Sequence, residues 1–252
     1  MEKNEPAVPG EPNFTAHEVK VLNAGFVRLV DWMGSDVDIV RAARVSYQAA
    51  WRAGKDEGSD AKLIRSLIKR GHTSPFEHVV LKFDVRAPIF VFRQWHRHRV
   101  WSYSEASARY SELDMGFYEP ERENIGAQSM TEKQGRVTEN WAPENATMNA
   151  TAVQSIIRDH NSVAQRTYRQ LLEMGVAREL ARVVLPVSAY SQMFGTVSLH
   201  NLFNFIRLRS DSHAQYEIRV YSDAMLKLAK HVAPIAVQEF INKNWPEGDN
   251  PE

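Results

Sequence analysis

The 252-residue sequence contains no cysteine. Disulfide bonds, thiolate metal ligands and a thiol nucleophile are therefore excluded together, because all three need a cysteine sulfur. The absence also fits a reducing compartment, and we expect a cytoplasmic location. Any catalysis by this chain must proceed without a sulfur nucleophile.

Long apolar runs and a net charge are missing too. No stretch of about 18 apolar residues occurs, so we expect a soluble protein with no transmembrane helix and no membrane partner. The acidic, proline-rich N-terminus lacks the apolar core of a signal peptide. The 31 Lys and Arg residues balance 31 Asp and Glu residues. This balance argues against a general nucleic-acid binder, which usually carries a basic excess.

The common phosphate-binding and metal-binding motifs are absent as well. There is no GxGxxG or GxxxxGK[ST] loop, so neither a Rossmann nor a P-loop nucleotide site is expected. The histidines have no metal-ligand spacing such as HExxH, and we predict no metal site. There is no GxSxG elbow of the kind that presents a hydrolase serine.

The apolar pattern predicts a helix-rich α/β protein of mixed α+β type. Alternation indicates one or two strands in 18–31 and a strand in 79–85, where every second residue is apolar. Helical spacing predicts helices over 35–50, 59–70, 89–99, 151–175 and 176–186, and a last helix that begins after Ser212.

The chain shows no internal linker, and we expect a single domain over residues 18–243. Residues 1–17 are predicted to be a disordered leader and residues 244–252 a frayed tail. Residues 120–150 are polar and lack apolar periodicity, which predicts a long, partly flexible excursion whose role the sequence does not indicate.

Positive charge is concentrated in one stretch of this neutral chain. Residues 93–109 carry four arginines and two histidines, interrupted by Trp95, Trp101 and Tyr103. Because apolar side chains interleave, parts of the arginines must lie against apolar surface, where an unpaired charge is costly. Arginine also meets phosphate bidentately. We interpret the stretch as a site for a small anion such as a phosphate, with a solvated helix face as the alternative.

The order of residues in this stretch carries a family resemblance. Arg97-His98-Arg99, seven further residues and then Ser107 resemble the RHR-x7-S signature of flavin-dependent thymidylate synthases. The likeness extends to "GHTSPFEH" at 71–78, "RELARVVLP" at 178–186 and "NFIRLRSDSHAQYE" at 204–217. It covers about residues 18–240, apart from the 120–150 excursion.

The resemblance implies one catalytic domain with a central antiparallel or mixed sheet flanked by helices, assembled as a homotetramer with active sites at subunit interfaces. It also implies that dUMP is converted to dTMP. Methylenetetrahydrofolate would supply the carbon, reduced FAD the hydride, and NADPH would reduce the flavin. Such an enzyme needs no cysteine, because the protein has only to orient and polarise the pyrimidine beside its reductant.

The resemblance also implies roles for individual residues. Arg209 matches the arginine that favours the ionised uracil ring and is the candidate catalytic residue. The positions expected to bind dUMP are Gln94, Arg97, Glu105, Ser107, Arg109 and Arg182. The positions expected to bind FAD are Ser74, Arg97, His98, Arg99, Glu105, His200 and Asn204.

Two other functions are compatible with parts of this pattern. A nucleotide-binding or RNA-binding protein could use arginine and tryptophan to clamp phosphates and stack bases, although the neutral charge counts against it. A histidine-metal hydrolase would require a zinc site that the histidine spacing does not provide. Uptake of FAD separates the synthase from both alternatives.

Overall fold

The computed structural model describes residues 17–112, 116–131, 133, 135–137 and 146–246. Residues 1–16 of the predicted leader (1–17) and residues 247–252 of the predicted tail (244–252) lie outside these described residues. The strands are β1 (Glu18–Val21), β2 (Gly25–Met33), β3 (Val80–Pro88), β4 (Ser102–Glu105), β5 (Ala127–Gln128), β6 (Arg136–Val137) and β7 (Tyr190–Ser198).

An antiparallel sheet with the strand order β1-β2-β3-β7-β4 forms the centre of the fold. β3 and β7 pair along their whole lengths, from Val80 opposite Ser198 to Pro88 opposite Tyr190. The alternation predicted for 79–85 is confirmed, because its four apolar side chains are completely buried on one face. The short pair β5 and β6 lies in the 120–150 excursion.

Helices cover this sheet, and the helix-rich mixed class is confirmed. The α7 helix places Ile218, Tyr221 and Met225 in the core, while the Tyr221 hydroxyl donates to the main-chain oxygen of Arg86, 2.8 Å away. The helices are α1 (Asp36–Val45), α2 (Glu57–Arg70), α3 (Ile89–Trp95), α4 (Ala146–Glu173), α5 (Arg178–Ala181), α6 (Leu199–Arg209), α7 (Tyr216–Val232) and α8 (Pro234–Asn244).

Several helix ends follow the sequence pattern. Gly71 ends α2 with a φ of +70°, and Gly175 follows α4 with a φ of +80°, a region that favours glycine. Pro88 introduces α3 as its N-cap. The last turns of the predicted excursion belong to α4, which begins at Ala146.

One predicted helix is too long. The helix expected over 89–99 ends at Trp95, so Arg93 and Arg97 do not share a continuous helix face. The hydroxyl of Tyr103 donates to the main-chain oxygens of Trp95 and His98, at 3.3 and 2.8 Å. The main-chain oxygen of Trp95 also accepts from the N–H of His98 at 2.9 Å, so a tight turn held by these bonds follows Trp95 in place of further helix.

Other differences concern the start of one predicted helix and two strands that the sequence pattern did not predict. The α7 helix was expected to begin directly after Ser212, but it begins three residues later, at Tyr216. β4 and β7 were not predicted, although Ser191, Met193 and Val197 alternate inward along β7. Within the described ranges, no helix combines the length and apolarity needed to cross a membrane.

The turn between β1 and β2 provides a test of this packing. A Cβ atom at Gly25 would lie 2.0 Å from the hydroxyl oxygen of Tyr221 and 2.8 Å from the main-chain oxygen of Val21. We expect Gly25→Ala to lower the free energy of unfolding by about 3 kcal/mol, because the clash displaces a buried tyrosine. The measurement is chemical denaturation.

Gly71→Ala is the matched control. A Cβ at Gly71 meets no atom within 4 Å, so its cost comes only from the positive φ and is about 1 kcal/mol. Equal losses in the two variants would contradict the packing described around Tyr221.

Candidate active site

The α3 helix and the turn after it present the arginine-rich stretch. Trp95 is completely buried, with its ring centroid 4.8 Å from that of Phe205 and 5.8 Å from that of Trp101. These aromatic contacts fix the turn to the core, while Arg97 and Arg99 are exposed. The interleaved tryptophans therefore anchor the segment and leave the guanidinium groups available to a ligand.

Arg209, the last residue of α6, is the most enclosed of the predicted site arginines. Its Nε donates to Nε2 of His98 at 3.0 Å, and its Nη2 donates to the main-chain oxygen of Gln94 at 3.2 Å. Both contacts join residues that are more than 100 positions apart in the sequence. The fold thus brings together the candidate catalytic residue, one predicted dUMP ligand and one predicted FAD ligand.

Arg209 and His98 influence each other electrostatically. Burial lowers the pKa of His98 from 6.5 to about 4, and the positive charge of Arg209 also lowers it. Burial lowers the pKa of Arg209 as well. His98 is therefore neutral at pH 7, and because its Nε2 accepts from Arg209, its ring proton lies on Nδ1.

A cleft of about 380 Å³, here called the Ser107 cleft, gathers three other predicted dUMP residues. Glu105 ends β4, Ser107 follows it, and Arg182 begins the short 3₁₀ helix after α5. The N–H of Ala106 donates to the main-chain oxygen of Gln192 at 2.8 Å, which fixes this segment against β7. The cleft places a hydroxyl, a carboxylate and a guanidinium around one space.

Arg109 lies on exposed surface beyond Ser107. Its Nε is 3.6 Å from Oε2 of Glu179, and both side chains are more than half exposed. An ion pair of this kind contributes little stability, about 1 kcal/mol or less. Arg109 can therefore exchange Glu179 for an anionic ligand at small cost.

A second pocket of about 170 Å³, here called the Asn204 pocket, holds two predicted FAD residues. His200 and Asn204 are one turn apart on α6, and Nδ2 of Asn204 is 3.3 Å from Nε2 of His200. The opposite wall includes His72 and Thr73, and the exposed Ser74 is next in the chain. The FAD residues of 74 and 200–204 thus belong to one region of the surface.

Most of the predicted residues form three groups in a single chain rather than one enclosed site, while Arg97, Arg99 and Arg109 are exposed outside these groups. These groups are the cluster of Arg209, His98 and Gln94, the Ser107 cleft and the Asn204 pocket. Among the residues described, no three His, Asp or Glu side chains form a group able to hold a metal ion.

Sequence reasoning missed some residues of these groups. Arg93 and His96 line the Ser107 cleft, whereas the sequence indicated them only as members of the basic stretch. Gln215 accepts a hydrogen bond from the amide of Gln94, 121 positions away. The stretch 204–217 contained this glutamine, but no local pattern indicated its partner.

The His98–Arg209 contact predicts an unusual titration. We expect the ring signals of His98 in NMR spectra to change near pH 4 rather than near pH 6.5. Because the folded pKa is the lower one, the unfolded chain binds this proton first, and stability falls as the pH drops from 6.5 towards 4. This contribution is absent in His98→Gln, and a His98 titration near pH 6.5 would contradict the buried contact.

Comparison with known proteins gives these groups a context. The family model described as "Thymidylate synthase complementing protein" matches residues 28–235. A flavin-dependent thymidylate synthase of Treponema pallidum (strain Nichols) is 46% identical over 222 residues, covering 88% of this chain and 70% of that protein. One from Thermotoga neapolitana is 44% identical over 224 residues, covering 89% and 94%.

A solved structure shares the fold. The UMP/dUMP methylase PolB from Streptomyces cacaoi, bound with 5-Br dUMP, superposes with a TM-score of 0.74 at 36% identity. The superposition covers 88% of this chain and 96% of that one. The family, fold and activity predicted from the RHR-x7-S pattern are confirmed. The chain belongs to the thymidylate synthase complementing protein family, in which the relatives named here are flavin-dependent thymidylate synthases.

Proposed function

We propose that this protein methylates dUMP to dTMP with methylenetetrahydrofolate as the carbon donor, FAD as the bound flavin and NADPH as its reductant. The flavin, when bound and reduced, would supply the hydride for this reaction. The chain's own task is to bind the nucleotide, orient its ring and stabilise negative charge on it.

The observation that carries the proposal is the environment of Arg209. Within the described residues, the hydrogen bonds of this half-buried guanidinium go to neutral groups, the ring of His98 and the main-chain oxygen of Gln94. A partly desolvated cation with neutral partners is costly unless an anion completes the site. An ionised uracil ring is such an anion, and its negative charge would raise electron density at C5.

We assign the Ser107 cleft to the nucleotide phosphate. Ser107 can donate its hydroxyl, and Arg182 can meet phosphate oxygens with its planar guanidinium. Glu105 carries the wrong charge for a phosphate but is suited to accept from a sugar hydroxyl. Arg109 adds a nearby cation that only an exposed ion pair restrains.

FAD fits the Asn204 pocket only in part. The pocket offers amide, imidazole and main-chain groups beside the apolar surface of Phe76 and Phe203. Its volume of about 170 Å³ is below the 300–1,000 Å³, roughly, that encloses a drug-sized ligand. The residues present suit the flavin, and we propose that neighbouring copies complete its site.

This incompleteness supports the proposed homotetramer. Exposed apolar side chains cluster in sequence around α5, where Leu180, Val183 and Val187 are 62, 75 and 59% exposed. On α4, Ile156 and Val163 are also more than half exposed. Burial of such side chains between copies would be favourable, by about 25 cal/mol per Å² of apolar surface.

An omission assay tests the function. We expect the purified protein to be yellow. Protein stripped of this flavin should form dTMP when dUMP, FAD, NADPH and methylenetetrahydrofolate are all supplied. Removing any one component should abolish dTMP formation, measured by tritium release from 5-tritiated dUMP followed by product chromatography. Undiminished dTMP formation without flavin would refute the proposal, and so would a protein that takes up no FAD.

Arg209→Lys tests the role of the guanidinium. Lysine keeps the charge but cannot reproduce the two directed bonds to His98 and Gln94. We expect the variant to retain flavin while kcat falls about 100-fold, the size of effect seen when one preorganised donor is lost. Arg41→Lys, on the surface beside Asp38, is the control and should keep its turnover. Wild-type turnover in Arg209→Lys would remove Arg209 from the mechanism.

A further inference from the structure

The carboxylate of Glu217 lies at the centre of a buried polar network that the sequence did not indicate. Glu217 is 1% exposed and is the second residue of α7. Its Oε1 accepts from the Tyr118 hydroxyl at 2.7 Å and from Nη1 of Arg136 at 2.9 Å. Its Oε2 accepts from Nε2 of Gln215 at 2.8 Å.

This network keeps Glu217 ionised. Burial disfavours the charged form, but hydrogen bonds from Tyr118 and Arg136, together with the charge of Arg136, hold the pKa of Glu217 below its usual value. An ionised carboxylate can only accept hydrogen bonds. The amide of Gln215 must therefore turn its NH₂ group towards Glu217.

The orientation of Gln215 determines that of Gln94. With its nitrogen directed at Glu217, Gln215 presents its Oε1 to Gln94, whose Nε2 donates to it. The main-chain oxygen of Gln94 accepts from Nη2 of Arg209. Gln94 is thus held at its backbone by the candidate catalytic arginine and at its side chain by the chain of bonds that starts at Glu217.

We propose that Glu217 is a positioning residue that acts through Gln215 to fix the amide of Gln94 in the orientation needed for dUMP binding. The inference rests on the proposed dUMP site. It also gives a role to the polar excursion, because Arg136 lies within that segment, Tyr118 just precedes it, and both donate to Glu217.

A change of one atom type tests the direction of these bonds. In Glu217→Gln, the new amide oxygen can still accept from Tyr118 and Arg136, but its NH₂ group then faces Gln215. The amide of Gln215 must then rotate so that its oxygen accepts from position 217. Its NH₂ group now faces the NH₂ group of Gln94, and two donors cannot form a hydrogen bond. Glutamine has nearly the same shape as glutamate, so a change in packing would not explain a weaker binding of dUMP.

We expect Glu217→Gln to raise the Kd for dUMP about tenfold, the effect of losing one well-formed hydrogen bond to the ligand site. The Kd is measured by equilibrium dialysis with labelled dUMP on the FAD-loaded protein, and FAD content should match the wild type. Glu18→Gln is the matched control, since it weakens an ion pair with Arg28 between β1 and β2 that none of these hydrogen bonds involves, and it should leave the Kd unchanged.

Gln215→Met provides an independent test if Glu217→Gln folds poorly, because Gln215 is exposed. It removes the link between Glu217 and Gln94 and should raise the Kd to a similar extent. In a double-mutant cycle, the Glu217→Gln change should add nothing once Gln215 is Met, because both act through one path.

The possible results separate this inference from the proposed function. Wild-type protein that binds no dUMP refutes the proposed function and the inference with it. Wild-type protein that binds dUMP, with Glu217→Gln or Gln215→Met binding it equally well, refutes the inference alone. Losses that multiply in the double variant also refute it, because they would show separate effects on the fold.

Discussion

The half-buried guanidinium of Arg209 is the constraint on which the rest of the site depends. It lies between His98 and Gln94, two neutral partners that fix its direction without neutralising its charge. Burial and this charge together keep His98 neutral, because they lower its pKa to about 4. A neutral imidazole leaves the positive charge available to a ligand. A site arranged in this way can favour an anionic pyrimidine without any cysteine.

The fold holds these partners by joining distant parts of the chain. The α3 helix follows β3 directly, so Gln94 is placed by the strand at the centre of the sheet. The α6 helix follows β7, the neighbouring strand, and carries Arg209 at its end. The start of α7 supplies Gln215 and Glu217, which reach back to Gln94 and to the polar excursion. Three helices and one irregular segment therefore determine the orientation of the Gln94 side-chain amide.

The sequence predicted those features that depend on local pattern. The buried face of 79–85 and the glycine at 71 follow from strand alternation and from helix termination, and both are found. The predicted end of α3 was wrong, because the turn after Trp95 is held by a residue of the next strand. The hydroxyl of Tyr103, on β4, donates to the main-chain oxygen of His98 in that turn. The bond between Gln94 and Gln215 spans 121 positions, so no periodicity indicates it. The site residues came from a family resemblance, since charge and spacing alone indicated only an anion site.

The central claim is that Arg209 stabilises a negative charge on the pyrimidine ring of the bound nucleotide. The most direct measurement is the pKa of N3 in dUMP labelled with ¹⁵N at that position, followed by NMR while the nucleotide is bound to the FAD-loaded protein. The account predicts that bound dUMP loses its N3 proton at a lower pH than free dUMP, and that the difference shrinks in Arg209→Lys. An N3 pKa equal to that of the free nucleotide would contradict it.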